Sequence, residues 1–187
     1  MSLRMSKLGW LDLALTELSA SGPDGLRLDA ICASAGLTKG SFYHHFKNHG
    51  DFLIAVAERW ASVQTDALID KLDMDETITD EVFRQIDHLA AAIDMQLEIN
   101  IRELARRVPD VARIVATTDE KRLAIGTQMY AQRFKAPEPL ARQIAELDYA
   151  ALSGAILINP NMSHADHIRL AELFRAMAED FLSDGGP

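Results

Sequence analysis

Apolar residues recur along most of the chain at helical spacing, and only rarely in the strict alternation that a half-buried strand requires. Leu8, Leu11, Leu15 and Leu18 form one stripe of a helix expected from about Ser6 to Ala20, ended by the breaker run Ser21-Gly22-Pro23-Asp24-Gly25. A short second helix is expected over Leu28 to Ser34 with Ile31 inward, and Gly36 supplies the freedom that a tight turn needs. Thr38 suits the N-cap of a third helix ending near His44. Asp51 suits the cap of a longer fourth helix, which carries Phe52, Leu53, Val56, Trp60 and Val63 towards about Lys71. The acidic stretch Asp73 to Glu81 reads as a solvated loop and a first helical turn, where carboxylates meet the positive end of the dipole. Helical periodicity resumes through Val82, Phe83, Ile86, Leu89 and Ile93, then over Leu97 to Arg107, Pro109 to about Phe134 and Leu140 to Ile158. A last helix, capped by Ser163 or Asp166, ends near Leu182, and the tail Ser183 to Pro187 is expected to fray. The fold class is all-α: an N-terminal three-helix bundle with a helix-turn-helix, then a larger helical domain, about nine helices in total. The domains are expected at 1–48 and 49–187.

A chain of 187 residues can bury its own core without staples. Its single cysteine, Cys32, can form neither an internal disulfide nor a four-ligand zinc site; it reads as a small core residue, and a cytoplasmic setting is expected. No apolar run approaches the roughly 18 residues of a membrane span, and no export signal is expected at the N-terminus. Met1-Ser2-Leu3, ahead of a second methionine at position 5, reads as an expression remnant, which the intact mass of natively made protein would test.

The net charge of −9 argues at first against a polyanionic partner. The charge is unevenly placed, however. The first fifty residues carry five basic and four acidic side chains, net +1, so the other 137 carry −10. His44, His45 and His49 crowd the end of the first segment.

Two short helices joined at a small residue, as in Leu28 to Tyr43, form either a helix-turn-helix or an ordinary core hairpin. The continuation is more specific. Ala35-Gly36-Leu37-Thr38-Lys39-Gly40-Ser41-Phe42-Tyr43-His44-His45-Phe46-Lys47-Asn48, followed by a helix with Asp51 and Phe52, resembles the signature of the TetR-family transcriptional regulators. Chemically, Thr38, Lys39, Ser41 and His44 can donate to base edges or phosphates in a major groove, and Gly40 allows close approach. The resemblance assigns a phosphate contact to the Tyr43 hydroxyl. Phe42, His45 and Phe46 read better as core and hinge packing.

Some positions depart from the family pattern. His49 stands where lysine is usual and Gly50 where glutamate is common, so Lys47 is expected to share the phosphate contact. With an ordinary imidazole pKa near 6.5, His49 would make DNA affinity rise as the pH falls from about 8 to 6. Arg27 replaces a capping Ser or Thr and offers a phosphate contact, whereas Asp29 makes a base contact there doubtful.

The resemblance implies that residues 49–187 bind an effector and form a homodimer, with the fourth helix transmitting occupancy to the reading heads. Candidate effector contacts are Trp60, His88, Met95, Arg102, Met129 and Tyr130. The plainer readings are core packing for the Met and aromatic residues, a satisfied core histidine for His88 and an interhelical ion pair for Arg102 among Glu98, Glu103 and Asp119. His164, His167 and Asp166 have metal-capable side chains without a third ligand at suitable spacing, so no metal and no cofactor are expected. Small residues Ala151, Gly154 and Ala155, with Leu170, Phe174 and Met177, match the family's four-helix dimer interface; packing within one subunit is the alternative. The function expected is a ligand-responsive repressor binding a pseudo-palindromic DNA operator as a homodimer, with no membrane partner. A helical protein-interaction module is the alternative; an enzyme is disfavoured because no nucleophile elbow, phosphate loop or zinc triad is present in the sequence.

Overall fold

The computed structural model describes residues 5–72, 78–159 and 161–183. The proposed remnant Met1-Ser2-Leu3, most of the acidic stretch after Leu72 and the tail beyond Ser183 lie outside them. Every described element is helical. We number them α1 (Lys7–Ser21), α2 (Leu28–Ala35), α3 (Lys39–Tyr43), α4 (His49–Ala61, continued by a π-helical turn Ser62–Asp66 and by Ala67–Ile69), α5 (Asp80–Ala91), α6 (Met95–Arg107), α7 (Pro109–Phe134), α8 (Glu138–Ile158) and α9 (His164–Ser183).

The helix starts follow local chemistry. Side chains of Ser6, Thr38, Thr79 and Asp94 each accept a hydrogen bond from a first-turn amide of α1, α3, α5 and α6. The cap of α4 is Asn48, whose Oδ1 accepts from the Asp51 amide at 2.8 Å. Asp51, expected as that cap, sits inside the first turn instead, where its charge favours the dipole. Ser163 caps α9, taking the Asp166 amide at 3.1 Å.

The chain divides into two compact units, residues 1–67 with 94–118 and residues 68–93 with 119–187. In the first unit the expected breaker after α1 is a 3₁₀ turn, Gly22–Leu26. A Cβ at Gly25 would come within 2.9 Å of the Glu17 carbonyl oxygen, so only glycine lets this turn lie on α1. Asn100 of α6 then donates to the carbonyls of Leu18 and Ser19 at 2.7 and 3.2 Å, and the Leu18 carbonyl also accepts from the Gly22 amide at the end of α1. One apolar core runs through α1, α2, α3, α4, α6 and the start of α7, and Cys32 lies in it, its thiol pKa raised by burial.

The second unit encloses a separate core of Ile78, Phe83, Met129, Tyr130, Ala141, Ile144, Ala145 and Ala178. Within it Asp87 of α5 pairs with Arg175 of α9, both largely shielded from solvent. On α8, Arg142 bridges Glu120 of α7 at 2.6 Å and Glu146 of its own helix at 2.8 Å. Among the described residues no helix is long and apolar enough to cross a membrane.

Candidate nucleic-acid interface

The chain turns from α2 into α3 at Gly36, whose φ of +62° lies in the left-handed region that favours glycine. Its amide closes the end of α2 on the carbonyls of Ala33 and Cys32. Two residues later the Thr38 hydroxyl accepts from the Ser41 amide at 3.3 Å and starts α3. Sequence chemistry alone therefore fixes the turn and the start of the second helix.

Beneath α3, aromatic rings set its orientation. Phe42 is fully buried and touches Trp10 edge-on at 5.6 Å, Phe46 at 5.1 Å and Phe52 at 5.1 Å. Burying a phenylalanine of this kind contributes about 2–3 kcal/mol before ring-pair gains. Lys7 stands 5.7 Å from the centre of the Phe46 ring, and Arg59 of α4 donates to Asp12 of α1 at 2.9 Å. Together these contacts hold α3 against α1 and α4.

With Phe42 turned inward, the opposite side of α3 is polar and open. Thr38, Lys39, Gly40, Tyr43 and His44 are exposed, Ser41 is half-buried and Lys47 is exposed just beyond. Tyr43 stands edge-on to Phe42 at 5.4 Å yet remains 49% exposed, so its ring is supported on one side while the residue stays open to solvent. Arg27 is exposed at the start of α2 and makes no side-chain cap there.

Two features of this surface were missed in the sequence. Lys39 pairs with Asp29 of α2 at 2.5 Å, so each charge meets its opposite on this surface. The hydrogen bond to Lys39 lowers the Asp29 pKa, and the same bond raises that of Lys39. His49 is half-buried, and its Nε2 lies 2.8 Å from the Leu26 carbonyl oxygen, to which it donates. The imidazole thus ties α4 to the turn before α2, a structural duty that the phosphate-contact reading did not include.

The six expected effector contacts fall into both units. Trp60 is fully buried and donates its indole N–H to Oε1 of Glu98 at 2.9 Å. Arg102 lies 3.7 Å from Glu98 one turn along α6. Met95 is half-buried in the same unit. In the other unit Met129 and Tyr130 are core residues. His88 is exposed, with its ring 5.8 Å from that of His164; the interior position beside it belongs to Asp87. His167, 7% exposed, is the buried histidine of this region, and burial lowers its pKa. No group of three or more potential metal ligands occurs among the described residues.

On α8, Ala151, Gly154 and Ala155 are half-buried, and a Cβ placed on Gly154 would meet nothing within 4 Å among the described residues. On α9, Leu170 is half-buried, Phe174 packs on the core of its own unit and Met177 is exposed. Leu147, Leu157, Ile158, Leu173 and Phe181 are also exposed on these two helices.

Residues 11–56 match the family model described as bacterial regulatory proteins, tetR family. No curated protein matches the sequence. Among solved structures, a protein of Mesorhizobium loti MAFF303099 assigned to the TetR-family transcriptional regulators superposes with a TM-score of 0.73 at 18% identity, covering 97% of this chain and 96% of its own. A transcriptional regulator from Rhodococcus sp. Rha1 gives 0.75 at 15% identity, with 94% and 96% covered. SmeT, the repressor of the Stenotrophomonas maltophilia multidrug efflux pump SmeDEF, gives 0.63 at 19% identity, with 92% and 88% covered. Residues 11–56 thus carry the tetR-family signature, and the chain as a whole has the fold of TetR-family transcriptional regulators.

Proposed function

We propose that the protein is a transcriptional repressor that binds a pseudo-palindromic operator as a homodimer and is released by a small-molecule effector held in the larger helical part of the chain. The observation that carries this reading is the one-sided construction of α3. Phe42 faces a closed aromatic cluster, and Thr38, Lys39, Tyr43 and His44 face outward beside Lys47. A short helix with such a face presents donors to base edges and phosphates at the depth of a major groove. Arg27 and Ser41 extend that surface. His49 contributes by fixing the angle between α4 and the turn before α2, through its bond to Leu26.

Dimer formation rests on two further observations. Leu147, Leu157, Ile158, Leu173, Met177 and Phe181 leave large apolar side chains open on α8 and α9, and the small face around Gly154 admits close approach of another helix. One recognition helix reads too few base pairs for specificity, whereas two set about 34 Å apart read both halves of a palindrome. The division of labour is between residues 1–48, which read DNA, and 49–187, which bind the effector and the second subunit. The setting is cytoplasmic, and catalysis has no part in this function.

The test is a titration of duplex DNA from the gene's own upstream region, followed by fluorescence anisotropy at several salt concentrations. Specific, salt-sensitive binding that Tyr43→Ala weakens about tenfold or more supports the reading. Absence of a specific complex, or binding indifferent to Tyr43, refutes it.

A further inference from the structure

Inside the second unit, the Tyr130 hydroxyl donates to Oδ2 of Asp148 on α8 at 3.0 Å. Oδ1 of the same carboxylate is shut off from solvent and has no hydrogen-bond partner among the described residues. The Tyr130 ring lies 5.6 Å from that of Phe83 and stacks on Phe134 at 6.0 Å. Beside them Arg175 pairs with Asp87 and sets its guanidinium 4.6 Å from the centre of the Phe83 ring.

This region is unbalanced in charge. Arg175 bonds to Asp87, while Asp148 bonds to a neutral phenol. Arg133, whose guanidinium stands 5.2 Å from the centre of the Phe134 ring, is paired with Asp80 and Glu179, and Glu172 adds a further negative charge near Asp87. Asp148 when ionised is bonded to no cation among the described residues, and one of its acceptors lacks a donor. Buried acceptors are nearly always satisfied, and leaving one open is costly. A neutral alcohol would supply the bond and leave the charge. A quaternary ammonium would cancel the charge and supply no bond. A protonated amine does both, and its apolar part suits the adjoining rings. The position of Arg175 over Phe83 is an example of a cation held by these faces.

We infer that Asp148 anchors a binding site for a small organic amine, which donates an N–H to Oδ1 and lays its apolar part against Phe83, Tyr130 and Phe134. The site stands on this geometry; its role as the effector site rests on the function proposed above. Burial raises the Asp148 pKa to about 6, against the opposing hydrogen bond from Tyr130, so near pH 6 the carboxyl is about half protonated. A bound cation would then expel about half a proton per site.

The experiment is titration calorimetry of the full-length protein near pH 6 in two buffers of different ionisation enthalpy, with benzylamine, benzyl alcohol and benzyltrimethylammonium as probes. Benzylamine is expected to bind with release of about half a proton, and the other two at least about tenfold more weakly. Asp148→Asn, which keeps the size and an acceptor for Tyr130, is expected to lose about tenfold or more in benzylamine affinity and all of the proton release. The wild-type proton count holds its value whether or not that variant folds well. Three results would overturn the site: no saturable benzylamine binding at millimolar concentration, equal binding of either control, or proton release that survives in Asp148→Asn. DNA titration separates the two proposals. Benzylamine bound with proton release but without effect on DNA affinity leaves the site standing and removes its effector role.

Discussion

Trp60 of α4 donates its indole N–H to Oε1 of Glu98 on α6 at 2.9 Å, and neither residue is open to solvent. The bond lies just before the π-helical turn Ser62–Asp66, where α4 departs from regular pitch and Thr65 is buried. Such turns often mark functional positions in long helices. Trp60→Phe keeps most of the apolar volume and deletes the N–H, leaving Glu98 with one donor fewer. The variant is expected to lose about 1–3 kcal/mol in urea unfolding. Unchanged stability would mean that this bond does not help to fix α4.

Asp29 and Lys39 test how the reading surface is tuned. Their ion pair is exposed, so in the free protein Lys39 spends its charge on Asp29. Asp29→Asn is expected to strengthen DNA binding and to steepen the dependence of log affinity on log salt by about 0.9 per subunit, the increment of one added phosphate contact. Lys39→Ala is expected to cost more affinity in the Asp29→Asn background than in the wild type. Anisotropy titrations over a range of salt concentrations measure both effects.

Much of the first unit was legible in the sequence because its signals are local. Thr38 caps α3, Gly36 turns the chain and Phe42 faces inward, each decided within a few residues. What escaped was set by tertiary packing. The stripe on α5 suggested His88 as the inward polar residue, but a step of one residue turns about 100° around a helix, and Asp87 occupies that place. Asp148 shares its helix with Glu138 and Glu146, and only the tertiary contact with Tyr130 sets it apart from them. The Asp29–Lys39 and His49–Leu26 contacts join positions ten and twenty-three residues apart, beyond any helical period. The turn after Ala61 is built from Ser62-Val63-Gln64-Thr65-Asp66, residues with no breaker among them.

The pH dependence of stability follows from Asp148. Burial raises its pKa in the folded chain from 3.8 to about 6. A carboxyl raised in this way contributes fully below about pH 4, and that contribution is lost as the pH rises towards and through about 6. Asp148→Asn is therefore expected to gain stability relative to the wild type between those pH values, reaching about 3 kcal/mol above them. His167 acts in the opposite sense, because its lowered pKa costs stability as the pH falls through 6.5; comparing the two proteins at each pH cancels that contribution. Urea unfolding at about pH 4, 5, 6 and 7 reads the difference, and a constant offset would refute the assignment.

The exposed apolar row on α8 and α9 bears on assembly. Leu173→Glu places a charge among Met177 and Phe181 on the exposed side of α9. The variant is expected to sediment as a monomer where the wild type sediments as a dimer, and to lose operator affinity with its head unchanged. A wild-type monomer at micromolar concentration would remove the dimer from the account.

Selection of binding sites from a random duplex library by the full-length protein reads the role of α3 directly. The expected product is one motif with two inverted half-sites about one helical turn apart, bound with strong salt dependence and lost in Tyr43→Ala. Selection that enriches no motif, or a motif retained undiminished by Tyr43→Ala, would contradict the assignment of α3 as the element that reads DNA.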